Sequence, residues 1–173
     1  YYSFGLLQPS GILRNLLKKI RIRAYFASGL KFFLPPFGGY WLQKLNLNFS
    51  DSIADVGCGN GQLVYELHVS GFKNLHGFDP FLENESQLGS CLKLWNKEFG
   101  QTDLYFDVVM MHHSFEHMAD PEQVLKTCFE RLNPGGILLV RCPVSDAKVW
   151  KEKGPLWVQL DAPRHLTIPS TRG

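Results

Sequence analysis

The sequence predicts an α/β protein with a doubly wound, mostly parallel sheet and an N-terminal helical segment. The first observation is a short apolar run that ends in a glycine-rich turn, Asp55-Val56-Gly57-Cys58-Gly59-Asn60-Gly61, followed directly by a helical pattern. The second is the alternation of further apolar runs with helical segments, which is typical of a parallel sheet covered on both faces. The third is the length, since 173 residues suffice for one domain with a substantial core.

Composition is typical of a soluble globular domain, with 45% hydrophobic and 20% charged residues. No apolar run approaches the length of about 18 residues that a transmembrane helix needs, and no signal-peptide pattern opens the chain. The cysteines Cys58, Cys91, Cys128 and Cys142 form no C-x-x-C pair. Reduced thiols and a cytoplasmic location are therefore expected.

Residues 1–49 form the predicted N-terminal helical segment, which is strongly basic. Residues 1–50 contain seven Lys and Arg residues and no acid. Ser10 caps a predicted helix that runs to about Ala27, with Gly29 as a stop signal. Its apolar residues repeat at helical spacing and leave a basic opposite face: Leu13, Leu16, Leu17, Ile20 and Ala24.

Packing on the domain, or covering its pocket, is the simplest role for this helix. A peripheral contact with a membrane surface or an anionic substrate is the main alternative. Nucleic acid is the least favoured partner, and no nucleic-acid partner is predicted. A loop at 35–39 and a short helix at 40–45 lead into the rest of the chain.

Five strands and three helices are predicted beyond residue 50. The strands lie at 52–54, 75–78, 92–95, 106–111 and 137–140, and the helices at 62–69, 83–88 and 121–132. Gly71 ends the first of these helices. Asp120 caps the last, with Pro121 at its first position. A turn is expected at 133–136, before the fifth strand.

The spacing of the glycines separates the candidate ligands. A dinucleotide fold has G-x-G-x-x-G and a phosphate loop has G-x-x-x-x-G-K-[ST]. Here the pattern is G-x-G-x-G, with Asp55 two residues before Gly57 and no Lys-Ser or Lys-Thr pair. The free N–H groups at the start of the following helix suit a phosphate or the carboxylate of an amino-acid-like ligand. An NAD-dependent reductase is disfavoured by this spacing.

Asp55-x-Gly57-x-Gly59-x-Gly61 resembles motif I of the class I S-adenosylmethionine-dependent methyltransferases. Three later segments add to the resemblance, which covers roughly residues 50–168. They are Glu116-His117 followed by Asp120-Pro121, the turn Asn133-Pro134-Gly135-Gly136, and Asp161-Ala162-Pro163-Arg164-His165-Leu166. The last is similar to a D-x-P-R-H-L segment of a subgroup of small-molecule and sugar- or lipid-linked methyltransferases.

The resemblance implies a Rossmann-like sheet with strand order 3-2-1-4-5 in a methyltransferase domain at 50–173. The family sheet has seven strands, so the final hairpin is expected to be missing and the domain to be truncated at its C-terminus. The strand at 137–140 would then be an exposed apolar edge. We expect residues 144–168 to cover this edge, or the chain to form a homo-oligomer.

The resemblance also implies the cofactor, S-adenosylmethionine, with S-adenosylhomocysteine (SAH) as product. Asp79 would hold the ribose hydroxyls, Asp55 would face the methionine end or hold the turn, and Asn96 stands where the family has an acid beside the adenine. The predicted cofactor-binding residues are Asp55, Gly57, Cys58, Gly59, Asn60, Gly61, Asp79, Pro80, Asn96, His112 and His113.

The predicted catalytic residues are Glu116, His117 and His165, since imidazole and carboxylate groups can accept a proton from a nucleophile. A catalytic base is optional, because methyl transfer depends mainly on in-line positioning. A subset of the family similar to the ubiquinone-pathway O-methyltransferases carries a metal at E-x-x-E-H. The matching positions are His113, Glu116 and His117, but no metal is predicted.

The expected function is methyl transfer to an oxygen or nitrogen of a small molecule such as a sugar, quinone or lipid-like acceptor. No Asn/Asp-Pro-Pro-Tyr/Phe tetrapeptide follows the fourth strand, which argues against methylation of nucleobase amino groups. The alternative is a truncated or degenerate module that binds the nucleosyl ligand without turnover.

Overall fold

A six-stranded sheet with the order β3-β4-β2-β1-β5-β6 forms the centre of the protein. The computed structural model describes residues 6–27, 41, 45–161 and 163–172. The strands are β1 (Ser52–Val56), β2 (Asn74–Phe78), β3 (Ser86–Leu88), β4 (Leu92–Trp95), β5 (Phe106–His112) and β6 (Leu132–Arg141). Every pairing is parallel except β3 with β4. The five predicted strands therefore take the predicted order, and the α/β class is confirmed.

Helices cover the sheet where the sequence provides start and stop signals. They are α1 (Ile12–Ala27), α2 (Gln62–Ser70), α3 (Pro121–Glu130) and α4 (Lys148–Lys153). α2 ends at Gly71, whose φ of 113° is left-handed. α3 begins as predicted, because the Asp120 carboxylate accepts the Gln123 N–H at 3.0 Å. Trp41 and Leu45 are helical, as predicted for 40–45, whereas Gly29 and the predicted loop at 35–39 lie outside the described residues.

The predicted helix at 83–88 is wrong. Residues Ser86–Leu88 form β3, which pairs antiparallel with β4 after a reversal through Gly89 at φ 61°. Leu88 is the only apolar residue of 83–88, so a helix there would have no face to bury. Pairing with β4 instead satisfies the backbone groups of a strand that would otherwise be an open edge.

The predicted turn at 133–136 is part of β6, where it interrupts the regular pairing with β5. Phe106 is paired with Leu132, but Val108 is paired with Ile137, so β6 has extra residues between the two pairs. Gly135, at φ 80°, supplies the left-handed backbone that this requires.

β6 forms one edge of the sheet, as predicted, with β5 as its neighbour. None of its residues is fully buried. Within the described parts of the chain, no backbone hydrogen bond joins residues 144–168 to Ile137–Val140. The predicted cover is therefore not formed by backbone pairing there, and homo-oligomerisation stays a prediction.

The core has one apolar layer on each face of the sheet. One layer joins Ile53, Val64, Leu75 and other sheet and helix residues to Ile22, Trp41, Leu45 and Leu47 from the N-terminal segment. The other is built around Val109, Met111, Phe78 and Phe106. The N-terminal segment thus packs on the sheet domain. No helix in the described regions has the length and apolar character needed to cross a bilayer.

α1 packs on the domain through an unexpected face. Ile22 and Tyr25 are buried, and the Lys18 ammonium lies 2.6 Å from a Glu66 carboxylate oxygen on α2. The predicted apolar face points away from the domain, with Leu13, Leu16, Leu17 and Ile20 between 52% and 72% exposed. α1 thus packs on the domain, as expected, and does so through the face opposite the apolar stripe, because the polar bonds of Lys18 and the burial of Ile22 and Tyr25 orient that face toward α2.

Two isoleucines of α1 provide a matched test of this orientation. Ile22 is 1% exposed and Ile20 is 55% exposed. Ile22→Ala should lower the free energy of unfolding by about 2–5 kcal/mol, because it leaves a cavity. Ile20→Ala should change it by less than about 0.5 kcal/mol. Urea denaturation measures both, and equal losses would show that α1 packs through a different face.

Candidate functional site

The glycine turn follows β1 at the carboxyl edge of the sheet. Gly57, Gly59 and Gly61 have φ values of 72°, 55° and 79°, a region that side chains with a Cβ resist. A Cβ on Gly57 would lie 2.5 Å from the Ser114 Cβ, and a Cβ on Gly61 would lie 2.5 Å from Leu94 Cδ1. The turn therefore needs glycine both for its backbone angles and for the space around it.

Asp79 and the end of β2 hold this turn in place. The N–H groups of Gly57 and Cys58 donate to the Phe78 carbonyl at 2.8 and 3.2 Å. The Gly59 N–H donates to Asp79 Oδ2 at 2.8 Å, and the Phe81 N–H donates to Oδ1 at 2.9 Å. Each carboxylate oxygen can accept a further bond. Asp79 is thus next to the turn, as predicted, with capacity left for hydroxyl donors.

Asp55 is a buried acid at the end of β1. It is 2% exposed, and its Oδ1 is buried without a hydrogen-bond partner among the described residues. Burial, and then the negative charge of Asp79, raise the pKa of Asp55 to about 8. An orphaned buried carboxyl is costly unless a donor or a cation reaches it. The ammonium group of a ligand such as S-adenosylmethionine fits this requirement.

The other predicted cofactor residues of the turn and strand ends lie along the same edge. Asn60 Oδ1 accepts the Gln62 N–H at 3.1 Å and so provides a partner for the N–H of the first residue of α2. Burial, then Asp55 and Asp79, hold the pKa of the Cys58 thiol well above its usual value, so it stays neutral. Pro80 and Asn96 are exposed, just after β2 and β4 respectively.

His112 ends β5 and His113 follows it, and the two side chains have different surroundings. His112 Nδ1 accepts from Arg141 at 3.1 Å, and its ring lies 4.8 Å from the ring of Trp41. Burial, then Arg141 and His113, lower the pKa of His112 to about 3, so the ring is neutral. His113 has a left-handed φ of 55° and is half exposed. The contacts of His112 are thus with Arg141 and Trp41 rather than with the glycine turn.

The three predicted catalytic residues come together beyond β5. Glu116 and His117 lie in a 3₁₀ turn, Phe115–His117. His165 comes from the segment 161–166, and its ring is 4.8 Å from the His117 ring. His165 Nε2 lies 3.9 Å from Glu116 Oε1. Leu166 and Thr167 fix the segment by donating backbone N–H groups to the Glu116 carbonyl at 2.7 and 3.2 Å.

Glu116 is a fully buried carboxylate. Both of its oxygens are buried without a well-aligned hydrogen bond from the described residues, although His113 Nδ1 approaches Oε1 to 3.4 Å. Burial raises the pKa of Glu116, but His113 and then His117 lower it by more, so the pKa lies below its usual value. Glu116 is thus a buried negative charge at neutral pH.

A single hydrogen bond fixes the tautomer of His117. Nδ1 lies 2.9 Å from the Arg164 carbonyl oxygen, which can only accept, so Nδ1 carries a proton. In the neutral ring Nε2 is then an acceptor. The Arg164 side chain itself forms an ion pair with Asp161 at 2.7 Å. His117, which is exposed, can therefore receive a proton at Nε2.

Ser114 joins the two halves of the site and was not predicted. Its hydroxyl donates to the Val56 carbonyl at 2.6 Å, and its Cβ occupies the space next to Gly57. It stands two residues before Glu116, so it places the catalytic cluster beside the glycine turn. The position after His112-His113 carries no sequence signal of this contact, which depends on how β1 and β5 pair.

Among the described residues, Glu116, His117 and His165 also form a group that could hold a metal ion. One ligand atom from each lies within 4.8 Å of the others. The trio considered from sequence contained His113, whereas the geometry groups His165 with Glu116 and His117. Carboxylate and imidazole ligands suit a divalent transition metal, but the same groups also suit proton transfer.

A depression at the opposite edge of the sheet is not the site. It is lined by Asn48, Asp51, Asp107, Pro134 and Gly136, among others, near the amino ends of β1 and β5. Ligands of open α/β sheets bind at the carboxyl ends of the strands, where the glycine turn lies.

A mostly parallel sheet with a G-x-G-x-G turn after β1 and an acid after β2 is typical of the class I S-adenosylmethionine-dependent methyltransferases. A model of the family described as "Methyltransferase domain" matches residues 19–172. The chain belongs to this family, and S-adenosylmethionine is the methyl donor of the class.

Two relatives have related but different functions. The chain is 29% identical over 146 residues to the tRNA U34 carboxymethyltransferase of Helicobacter acinonychis, covering 76% of this chain and 52% of that protein. It is 25% identical over 122 residues to the ubiquinone biosynthesis O-methyltransferase of Escherichia fergusonii, covering 65% and 51%. The chain thus spans about half the length of these relatives.

Solved structures confirm the fold. The cyclopropane synthase MmaA2 from Mycobacterium tuberculosis matches with a TM-score of 0.56 at 18% identity, covering 76% of this chain and 54% of that chain. The mycolic acid cyclopropane synthase CmaA1, complexed with SAH and CTAB, gives a TM-score of 0.52 at 18% identity, covering 75% and 53%. At this identity the likeness concerns the fold alone.

The raised pKa of Asp55 predicts a dependence of stability on pH. Between about pH 4, the ordinary value for aspartate, and about pH 8, the folded state holds a proton that the unfolded state releases. The free energy of unfolding should therefore fall as the pH rises through this window. Asp55→Asn should remove this part of the slope. Urea denaturation of both proteins at several pH values measures it, and parallel curves would contradict a protonated Asp55.

Proposed function

We propose that the chain binds S-adenosylmethionine at the glycine turn and transfers its methyl group to an oxygen or nitrogen of a small molecule. The observation that carries this proposal is the hydrogen bond from Ser114 to the Val56 carbonyl. This bond places the glycine turn, which would hold the methyl donor, next to a cluster of residues that can accept protons. The family match supports the donor, and the buried Glu116 and His165 support an acceptor with a small polar group.

The chain's own residues account for donor binding. Gly57, Gly59 and Gly61 leave bare backbone for a flat ligand to approach. Asp79 is positioned to accept from the ribose hydroxyls while it accepts from Gly59 and Phe81. Asp55 would become ionised beside the ammonium group of the ligand, which satisfies its orphaned oxygen.

The cluster beyond β5 accounts for the acceptor side. Bound S-adenosylmethionine supplies an electron-poor methyl group. His117 Nε2 can take the proton of a hydroxyl nucleophile, or the proton that an ammonium group loses to become a nucleophilic amine, because its Nδ1 proton is held by the Arg164 carbonyl. The buried negative charge of Glu116 would stabilise the imidazolium that results. His165 lies next to Glu116 in the same cluster, with its Nε2 3.9 Å from Glu116 Oε1.

A small-molecule acceptor is the proposed class, with a sugar, quinone or lipid-like compound as candidates. The printed name of one relative includes O-methylation in ubiquinone biosynthesis, and this supports the proposal. A tRNA nucleobase, suggested by the name of another relative, is the competing class. The four free cysteines support a reducing, cytoplasmic location, which is also a proposal.

The ribose role of Asp79 is tested by ligand binding. Asp79→Ala should weaken SAH binding by about 1–3 kcal/mol, because buried hydroxyls lose their acceptor. Isothermal titration calorimetry measures the affinity. Asp103→Ala is the matched control, since the Asp103 side chain is fully exposed and its contact is an ion pair with Arg131 at 3.7 Å. Equal affinity in the wild type and Asp79→Ala would remove Asp79 from the ribose.

The acceptor role of the cluster is tested by turnover. Radiolabelled methyl transfer from S-adenosylmethionine is measured with a panel of phenols, sugars and amines, and with unmodified tRNA. Glu116→Gln should lower kcat about a hundredfold, because the proton acceptor loses its supporting charge, while SAH affinity stays within about twofold.

His117→Asn provides the second variant of this experiment and should also lower kcat while SAH affinity stays within about twofold, because it removes the proton-accepting Nε2. Product with tRNA alone would replace the small-molecule class. An equal loss of SAH binding in Glu116→Gln would show that the cluster is structural.

A further inference from the structure

The outward face of α1 is an exposed apolar stripe. Five large aliphatic side chains lie on it at spacings of one, three and four residues, and each is at least half exposed: Ile12 90%, Leu13 72%, Leu16 52%, Leu17 59% and Ile20 55%. We call these five residues the outer stripe. Soluble proteins rarely expose so many large apolar groups together, and such patches mark interaction sites.

Basic residues border the outer stripe on both sides. At about 100° per residue along the helix, Lys19 and Arg23 fall along one edge of the stripe and Arg14 and Arg21 along the other. All four are exposed. α1 contains no acidic residue. Long basic side chains can extend their charges away from an apolar surface that their stems help to cover.

The opposite face of α1 is fixed, so the outer stripe cannot turn inward. Ile22 and Tyr25 are buried. The Lys18 ammonium pairs with Glu66 at 2.6 Å, and Asn15 Nδ2 donates to the Ser10 carbonyl at 3.0 Å. The orientation of the stripe follows from these contacts rather than from a loosely attached helix.

We propose that the outer stripe docks on an anionic lipid bilayer, with α1 lying in the plane of the interface. A stripe of aliphatic residues with flanking Lys and Arg is the composition that such interfacial helices need. The aliphatic groups enter the acyl boundary, and the basic groups pair with anionic headgroups. This inference goes beyond the proposed methyl transfer and does not depend on it.

Two other occupants fit the face less well. Single-stranded nucleic acid is bound by aromatic stacking platforms together with positive charge, whereas the outer stripe is wholly aliphatic. A symmetric dimer through the stripe would place the same basic borders of two copies against each other, and like charges across an interface are unfavourable. An anionic bilayer satisfies both the apolar and the charged groups.

Docking would place the donor site near the bilayer. The Gln8 N–H donates to Gln62 Oε1 at 2.9 Å, and Gln62 is the first residue of α2, directly after the glycine turn. The segment that precedes α1 is thus tied to the helix that begins at the turn.

Vesicle flotation with the whole chain tests the proposal. Vesicles of phosphatidylcholine alone are compared with vesicles that also contain phosphatidylglycerol, at low and raised salt. The wild type should float with the anionic vesicles and be released by salt. Leu13→Gln with Leu17→Gln should weaken this binding about tenfold or more, because two anchoring side chains no longer enter the apolar boundary.

The control changes a matched pair on another helix. Leu125 and Phe129 are exposed and also four residues apart, on α3, so Leu125→Gln with Phe129→Gln should leave flotation unchanged. SAH affinity and circular dichroism show that both double variants are folded. Equal binding to neutral vesicles, or flotation of the Leu13/Leu17 variant at the wild-type level, would overturn the proposal. So would a change confined to oligomeric state or tRNA binding.

Discussion

The close approach of Gly57 to Ser114 is the constraint on which the site depends. A side chain on Gly57 would collide with Ser114, and the Ser114 hydroxyl donates to the carbonyl of Val56 at 2.6 Å. This contact joins the carboxyl ends of β1 and β5. It lets the chain leave β1 in a left-handed turn, and it brings Glu116 and His117 to the same edge. The donor turn and the proton-accepting cluster therefore share one structural link.

Electrostatics give this edge a second common property. Asp55 and Asp79 are neighbouring buried acids, but their carboxyl groups differ in the hydrogen bonds that they accept. Asp79 accepts two backbone N–H groups, whereas Asp55 has a raised pKa and one oxygen with no hydrogen-bond partner among the described residues. Such unsatisfied groups lower stability and cluster at functional sites. The edge is thus better suited to a ligand with hydroxyl and ammonium groups than to solvent.

The sequence was most informative where local chemistry decides the structure. The glycine turn, the Asp120 cap and the five parallel strands were predicted because each depends on backbone geometry or on a continuous apolar run. The order of the strands came from the resemblance to the family. β3 was missed because it exists only through pairing with β4. The outward orientation of the apolar face of α1 could not be predicted, because its amphipathic pattern does not say which side meets the domain. Ile22 and Lys18 decide this through contacts with distant residues.

The residues of the site likewise fall into those that local sequence predicts and those that only long-range packing brings together. Asp55, Asp79 and the three glycines follow from spacing along the chain, and the structure places them together. The grouping of His165 with Glu116 and His117 spans about 50 residues and follows from the backbone bonds that Leu166 and Thr167 make. Ser114 and the burial of His112 against Trp41 had no signal in the sequence, because both arise from packing between strands and segments far apart in the chain.

The proton released on ligand binding tests the central claim most directly. If Asp55 is neutral in the free protein and ionised beside the ligand's ammonium group, SAH binding at about pH 7 should release close to one proton per ligand. Calorimetric titration in two buffers of different ionisation enthalpy measures this number. The wild type should release the proton, and Asp55→Asn should not. SAH binding with no exchange of protons in the wild type would contradict the account.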